Sequence, residues 1–238
     1  MAKVSGKQGQ KAASAAQPAR AWQRMLSGRR LDLLEPSPLD VEIEDIAQGL
    51  SRVARWNGQT RGDHAFSVAQ HSLLVLDIHL RLDPELSPRE QMVTLLHDAP
   101  EYVVGDMISP FKAMVGGDYK AVEHRLLEAI HLRFSLPAKT GTALLTAVKK
   151  ADTIAAYYEA TLLAGFGEAE ARRFFGRPQG ISPDGLPLTP WPAKRAQANF
   201  LKRFRLMEEA HAHSLVQSRR HARERQDRER RGHERQAK

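Results

Sequence analysis

The 238-residue chain contains no cysteine. That single absence removes disulfides, thiolate metal sites and cysteine nucleophiles, so any metal site has to be assembled from His, Asp and Glu. The sequence also lacks an apolar run of about 18 residues, the length a membrane-crossing helix requires. Its N-terminus has no apolar stretch of the signal-peptide kind. A soluble cytoplasmic protein with no membrane contact is the expectation. Acidic residues are missing where the basic ones gather: residues 1–30 hold seven Lys/Arg and no acid, and residues 211–238 hold nine Lys/Arg against four acids. The remaining stretch, 31–210, is net negative, so the overall charge of +8 comes from the ends. Such ends read first as solvated tails; weak nucleic-acid contact through them is the alternative.

A hydrophobic fraction of 42% is ample for a core. Residues 1–20 are rich in Ala, Gln, Lys and Ser without periodicity and are expected to be disordered. The stretch RRLDLLE (29–35) suggests a short edge strand or extended arm. Helical spacing of Ile43, Ile46, Ala47, Leu50 and Val53 predicts a helix from Asp40 to about Trp56, followed by the polar loop NGQTRGD. A second helix is predicted over Ser67–Leu82. A third starts at Ser87, with Pro88 at its first position and Glu90 completing a capping box, and runs through Ala99. There Pro100 removes a backbone donor and should bend or end it. Further helices are expected from Asp118, from Thr140 or Thr142 to just before Gly165, and from about Ala193 after a proline-rich connection. The last fades into a charged segment, 211–238, that is either a solvated helix or a disordered tail. The sum is one all-α domain over 21–210, a helical bundle of about six helices with little or no strand.

One stretch stands apart. TLLHDAPEYVVGD (94–106) places His97, Asp98, Glu101 and Asp106 within ten residues, bordered by apolar side chains that make unshared burial expensive. His71 and Asp152 occur in other apolar helices. Two imidazoles and two carboxylates suit Mn, Co, Ni, Fe or Zn better than Ca. An isolated buried His is more often a satisfied core residue; His71, His97, Asp98 and Asp152 together favour a metal. The other histidines carry no such pattern: His79, His124 and His131 read as surface or helix-packing groups, and His64 as a weak pocket candidate. His211 and His213 could bind an ion adventitiously.

The order H…HD…D resembles the signature of HD-domain metal-dependent phosphohydrolases, an all-α superfamily. ARWNGQTR, VAQHSLLV, LLHDAPEYVVGDMISPFK, DYKAVE and KKADTIAAYYEA resemble successive blocks of bacterial 5′-deoxynucleotidases and of the related phage deoxynucleotide triphosphohydrolases, over about 40–165. The resemblance implies metal ligation by His71, His97, Asp98 and Asp152, with a divalent transition ion or Mg. It implies a general acid/base or water-orienting role for Glu101 and an active-site role for Asp106, whose alternative is a helix N-cap. Arg55 falls at a phosphate-binding position, consistent with the fork geometry of guanidinium. Trp56 would pack on base or sugar, or simply in the core, and Lys112 would touch a distal phosphate; Arg61 is a weaker loop candidate. Gln70 stands where the monophosphatases usually have Glu, Pro100 replaces a small residue, and the loop after Trp56 looks closer to the triphosphohydrolases. The expected activity is hydrolysis of (deoxy)nucleotides, in a homodimer. The alternatives are hydrolysis of signalling nucleotides or a nucleic-acid-associated protein.

Overall fold

The computed structural model describes residues 21–108, 114, 117–178 and 180–236. The expected disorder of residues 1–20 and the candidate Lys112 lie outside the described residues. Among the described residues the fold is all-α. Its eight α-helices are α1 (Ile43–Leu50), α2 (Val68–Leu82), α3 (Pro88–Leu95), α4 (Glu101–Val104), α5 (Gly117–Arg133), α6 (Thr142–Leu162), α7 (Glu168–Phe175) and α8 (Ala193–Gln236). A small antiparallel hairpin, β1 (Trp22–Arg24) and β2 (Arg30–Asp32), precedes them, with Gln23 opposite Leu31. Ser27 in its turn donates both its backbone N–H and its hydroxyl to Asp45 of α1, which fixes the hairpin to the bundle.

The organising element is α2. Eleven of its fifteen residues are buried, and it lies between two apolar clusters. Val68, Ala69, Leu73 and Leu76 pack with Leu50, Leu95, Phe200 and Phe204 from α1, α3 and α8, and with Leu96 just after α3. Leu74, Val75 and Ile78 pack instead with Ala155, Tyr158 and Ala171 from α6 and α7. Burying each of the Val, Leu, Ile and Phe side chains contributes roughly 1.5–3 kcal/mol. A polar side chain in the first half of this helix is therefore withdrawn from water. Three of them, Gln70, His71 and Ser72, are fully buried.

Several boundaries follow local chemistry. Ser67 caps α2, and Ser87 with Glu90 forms the reciprocal capping box at α3. The helix predicted to reach Trp56 stops at Leu50 instead. Gly49 is a poor helix former, and the Ser51 hydroxyl turns back to the Gln48 carbonyl. Val53 and Ala54 leave the helix for a short antiparallel bridge, Ala54 opposite Ser67, with Arg55 N–H on Phe66 O at 2.8 Å. The helix predicted through Ala99 likewise ends early, at Leu95. From there i to i+3 bonds take over: His97 N–H to Thr94 O, Ala99 N–H to Leu96 O and Glu101 N–H to Asp98 O. Pro100, unable to donate, forces that tightening and sits at the entry to α4.

α7 was not foreseen. Only Ala171 of its eight residues is buried, so its sequence carries too thin an apolar stripe to announce a helix. At the other end, the charged C-terminal segment continues α8 as helix to Gln236. Among the described residues no helix is long and apolar enough to cross a membrane.

Candidate metal centre

Three elements bring the predicted donors together. α2 contributes His71, the turn between α3 and α4 contributes His97 and Asp98, and α6 contributes Asp152. His71, His97 and Asp152 each offer one ligand atom, and these atoms lie within 4.8 Å of one another. Asp98 belongs with them by direct contact: its Oδ2 is 3.4 Å from His71 Nε2 and 3.2 Å from His97 Nε2. Asp152 Oδ1 is 3.3 Å from His71 Nε2. The two imidazole centroids are 5.4 Å apart.

Both histidines are oriented through the opposite ring nitrogen. His97 Nδ1–H donates to the Thr94 carbonyl at 2.9 Å, within the tightened turn. His71 Nδ1–H donates to Glu159 Oε1 at 2.5 Å. With each Nδ1 carrying the proton, each Nε2 presents a lone pair to carboxylate oxygens. Among the described residues neither Nε2 has a hydrogen-bond partner, although both atoms are shielded from solvent. Lone pairs held 3.2–3.4 Å from carboxylate oxygens require positive charge between them. A proton or a cation meets that need, and the donor set of two imidazoles and two carboxylates fits a divalent transition ion.

The charge balance supports this. Burial and the nearby Arg55 guanidinium disfavour an imidazolium at His71. The carboxylates of Glu159, Asp152 and Asp98 outweigh them and raise its pKa well above the usual 6.5. Burial likewise opposes ionisation of Asp98 and Asp152, but the paired imidazoles hold both pKa values below the ordinary carboxylate range. The site keeps its acids ionised and has room for cationic charge.

Glu159 is the residue that sequence reasoning missed. Fully buried on α6, it accepts from His71, from Trp56 Nε1–H at 2.8 Å and from Arg55 Nε at 3.4 Å. His71 and Arg55 overcome the effect of burial and hold its pKa at about 2. A carboxylate on the far nitrogen of a ligand histidine fixes its tautomer and raises its basicity. The signal was legible: Glu159 follows Asp152 by two helical turns, at the end of the apolar run TIAAYY.

Arg55 bridges Glu159 and Asp106, with Nη1 3.2 Å from Asp106 Oδ2. Those anions, Glu159 foremost, raise its pKa although burial opposes the charge. Asp106 is therefore an ion-pair partner of Arg55 rather than merely a cap. Trp56 takes a left-handed backbone, φ 55°, rare for a bulky residue. It is anchored by its bond to Glu159 and by edge-on contacts with Phe166 and Phe175. Glu101, first residue of α4, is buried and only 2% exposed. His64 and Arg61 lie exposed in the loop. His79 and His131 are buried packing residues, bonded through Nδ1 to Thr94 and to the Pro137 carbonyl. His124 is exposed, and His211 is buried beside the Ser135 carbonyl.

Gln70 has a structural explanation. Its amide donates to the carbonyls of Pro187 and Thr189, each at 2.7 Å, while its oxygen accepts from Trp191 N–H at 2.9 Å. A carboxylate could not make the first two bonds. The residue beside His71 thus clasps the proline-rich connection onto α2.

No family model matches this chain. A protein of Rhodobacter capsulatus described as uncharacterised is 54% identical over 188 residues, which cover 79% of this chain and 96% of the relative. Identity of that extent over nearly the whole relative places the chain in the same family as that Rhodobacter capsulatus protein.

Proposed function

We propose that the chain is an HD-type, divalent-metal-dependent phosphohydrolase acting on (deoxy)nucleotides. One observation carries the reading: the buried imidazole of His71 and the part-buried imidazole of His97, each with its proton committed to the far nitrogen, direct lone pairs toward ionised Asp98 and Asp152. His71, His97, Asp98 and Asp152 would hold the ion. When bound, such an ion supplies a Lewis acid and lowers the pKa of water.

The chain's own groups cover the remaining needs of phosphate hydrolysis. Arg55 gives a permanent cation beside the centre, aimed by Asp106 and Glu159, and its planar fork matches phosphate oxygens. Glu101, buried one turn beyond Asp98, is the proton carrier. It takes a proton from the attacking water as the new O–P bond forms and returns it to the leaving oxygen as the old bond breaks. Glu159 keeps His71 in one tautomer throughout.

The deciding experiment incubates protein loaded with Mn, Co, Ni, Zn, Fe or Mg with a panel of ribo- and deoxynucleotides and resolves the products chromatographically. Release of phosphate or polyphosphate in a metal-dependent manner is the expected result. Inertness toward every nucleotide with every ion overturns the proposal.

A further inference from the structure

A groove of about 570 Å³ runs along α6 beside the centre. Lys149, Lys150 and Arg177 supply three cations to its walls, and Leu145, Ile154 and Phe175 supply apolar surface. No acidic residue lines it among the described residues. The groove adjoins the metal ligands through a single carboxylate: Lys149 Nζ lies 2.7 Å from Asp152 Oδ2, while Asp152 Oδ1 faces His71. Leu145 is 51% exposed on this wall, an apolar side chain left open to water beside two lysines.

The combination constrains the ligand. Three cations, of which only Lys149 is paired with a carboxylate among the described residues, at the edge of an ion-binding cluster favour an anion. A chain of phosphates alone has no use for apolar surface, whereas a nucleoside does, since its base is stabilised by apolar and aromatic contact. The volume falls within the range of small-molecule sites, roughly 300–1,000 Å³, and is too large for phosphates alone.

Resting on the proposed phosphohydrolase function, we infer that the groove is a subsite for a second nucleotide unit. The substrate class is then a short oligonucleotide or dinucleotide whose terminal phosphate lies at the centre. Its next phosphodiester would lie among Lys149, Lys150 and Arg177, with the second base against Leu145 and Phe175.

The test uses the full-length, metal-loaded protein and a probe with no terminal phosphate to cleave, the dinucleoside monophosphate of two deoxyadenosines. Its binding is measured by calorimetry beside that of deoxyadenosine and of dATP, for wild type, for Lys150→Glu/Arg177→Glu and for Leu145→Asp. All three substituted positions are exposed. Circular dichroism checks that the variants fold. The expected result is tighter binding of the dinucleoside than of deoxyadenosine, with that advantage falling roughly tenfold or more in each variant. Equal binding of dinucleoside and deoxyadenosine, or an advantage unmoved by the variants, overturns the subsite. So does a charge-reversal effect confined to dATP, which would assign the groove to polyphosphate. Phosphate release from 5′-phosphorylated dinucleotide is followed separately. If the dinucleoside binds as expected and no phosphorylated compound turns over, the hydrolase reading fails while the binding groove stands.

Discussion

His71 and Glu159 form a buried imidazole–carboxylate pair, Nδ1 to Oε1 at 2.5 Å, that turns His71 Nε2 toward Asp98 and Asp152. The pair matters because it sets which nitrogen is free. In Glu159→Gln the imidazole loses an anionic partner, and the amide's own donors face His71, Arg55 and Trp56. Metal affinity is expected to fall by about 10- to 100-fold. Competition titration against a chelator measures it, and an unchanged dissociation constant would remove Glu159 from the centre.

Metal loading should raise thermal stability, because an ion that binds the folded chain alone stabilises it by about 2.7 kcal/mol at a hundredfold excess over Kd. Wild-type protein is expected to melt higher with Mn or Co, and EDTA should reverse the gain. His97→Ala and Asp98→Asn should lose most of that increment while keeping their helical circular dichroism. A full increment in either variant contradicts ligation by that residue.

Legibility from sequence tracked the strength of local signals. The four donors were readable because titratable groups inside apolar runs are costly to bury and so draw notice, and the capping box at Ser87 was explicit. What escaped were features set by distant contacts. The close approach of Gly49 in α1 to Tyr102 in α4 is such a feature, and the partner of His71 lies 88 residues away on α6. The tight turn holding His97 and Asp98 combined a visible cause, Pro100, with an invisible one, the capture of the Thr94 carbonyl by the His97 ring. Glu101 and Asp106 were both noticed, yet the ion pair of Asp106 with Arg55 depends on tertiary approach across 51 positions.

Gln70→Glu offers a test of the clasp on the proline-rich connection. The carbonyls of Pro187 and Thr189 lose their donors and meet a carboxylate instead. A loss of about 1–3 kcal/mol in unfolding free energy is expected, with faster amide exchange at Leu188 in the released connection. Chemical denaturation and hydrogen exchange read the two effects. An unchanged unfolding free energy with wild-type protection at Leu188 would show that the clasp is dispensable.

Stability should decline in mild acid through His79 and His131. Burial lowers both pKa values below the usual 6.5, opposed at His79 by Asp83 and Glu90 and at His131 by its bond to the Pro137 carbonyl. In the window between each folded value and 6.5 the unfolded chain binds the additional proton. Stability is therefore fully present above pH 6.5 and lost as pH falls through the folded values. Denaturant midpoints measured from pH 7.5 to 5 should decrease, and His131→Gln should flatten part of that slope. A slope identical in the variant excludes His131 as a source.

Gly49 sets the spacing between α1 and α4. A Cβ built there would lie 2.8 Å from both the Cβ and the carbonyl oxygen of Tyr102. Backbone atoms cannot yield as a flexible side-chain tip can, so the two helices must separate. Gly49→Ala would gain some helix propensity, up to about 1 kcal/mol. The overpacking penalty of about 1–3 kcal/mol exceeds that gain, and net destabilisation is expected. The displacement falls on Tyr102, next to the buried Glu101. If Glu101 carries the proton, turnover should drop by more than metal affinity does. Calorimetric metal titration beside steady-state kinetics separates the two, and equal losses in both would indicate that the ligand turn, rather than Glu101 alone, had shifted.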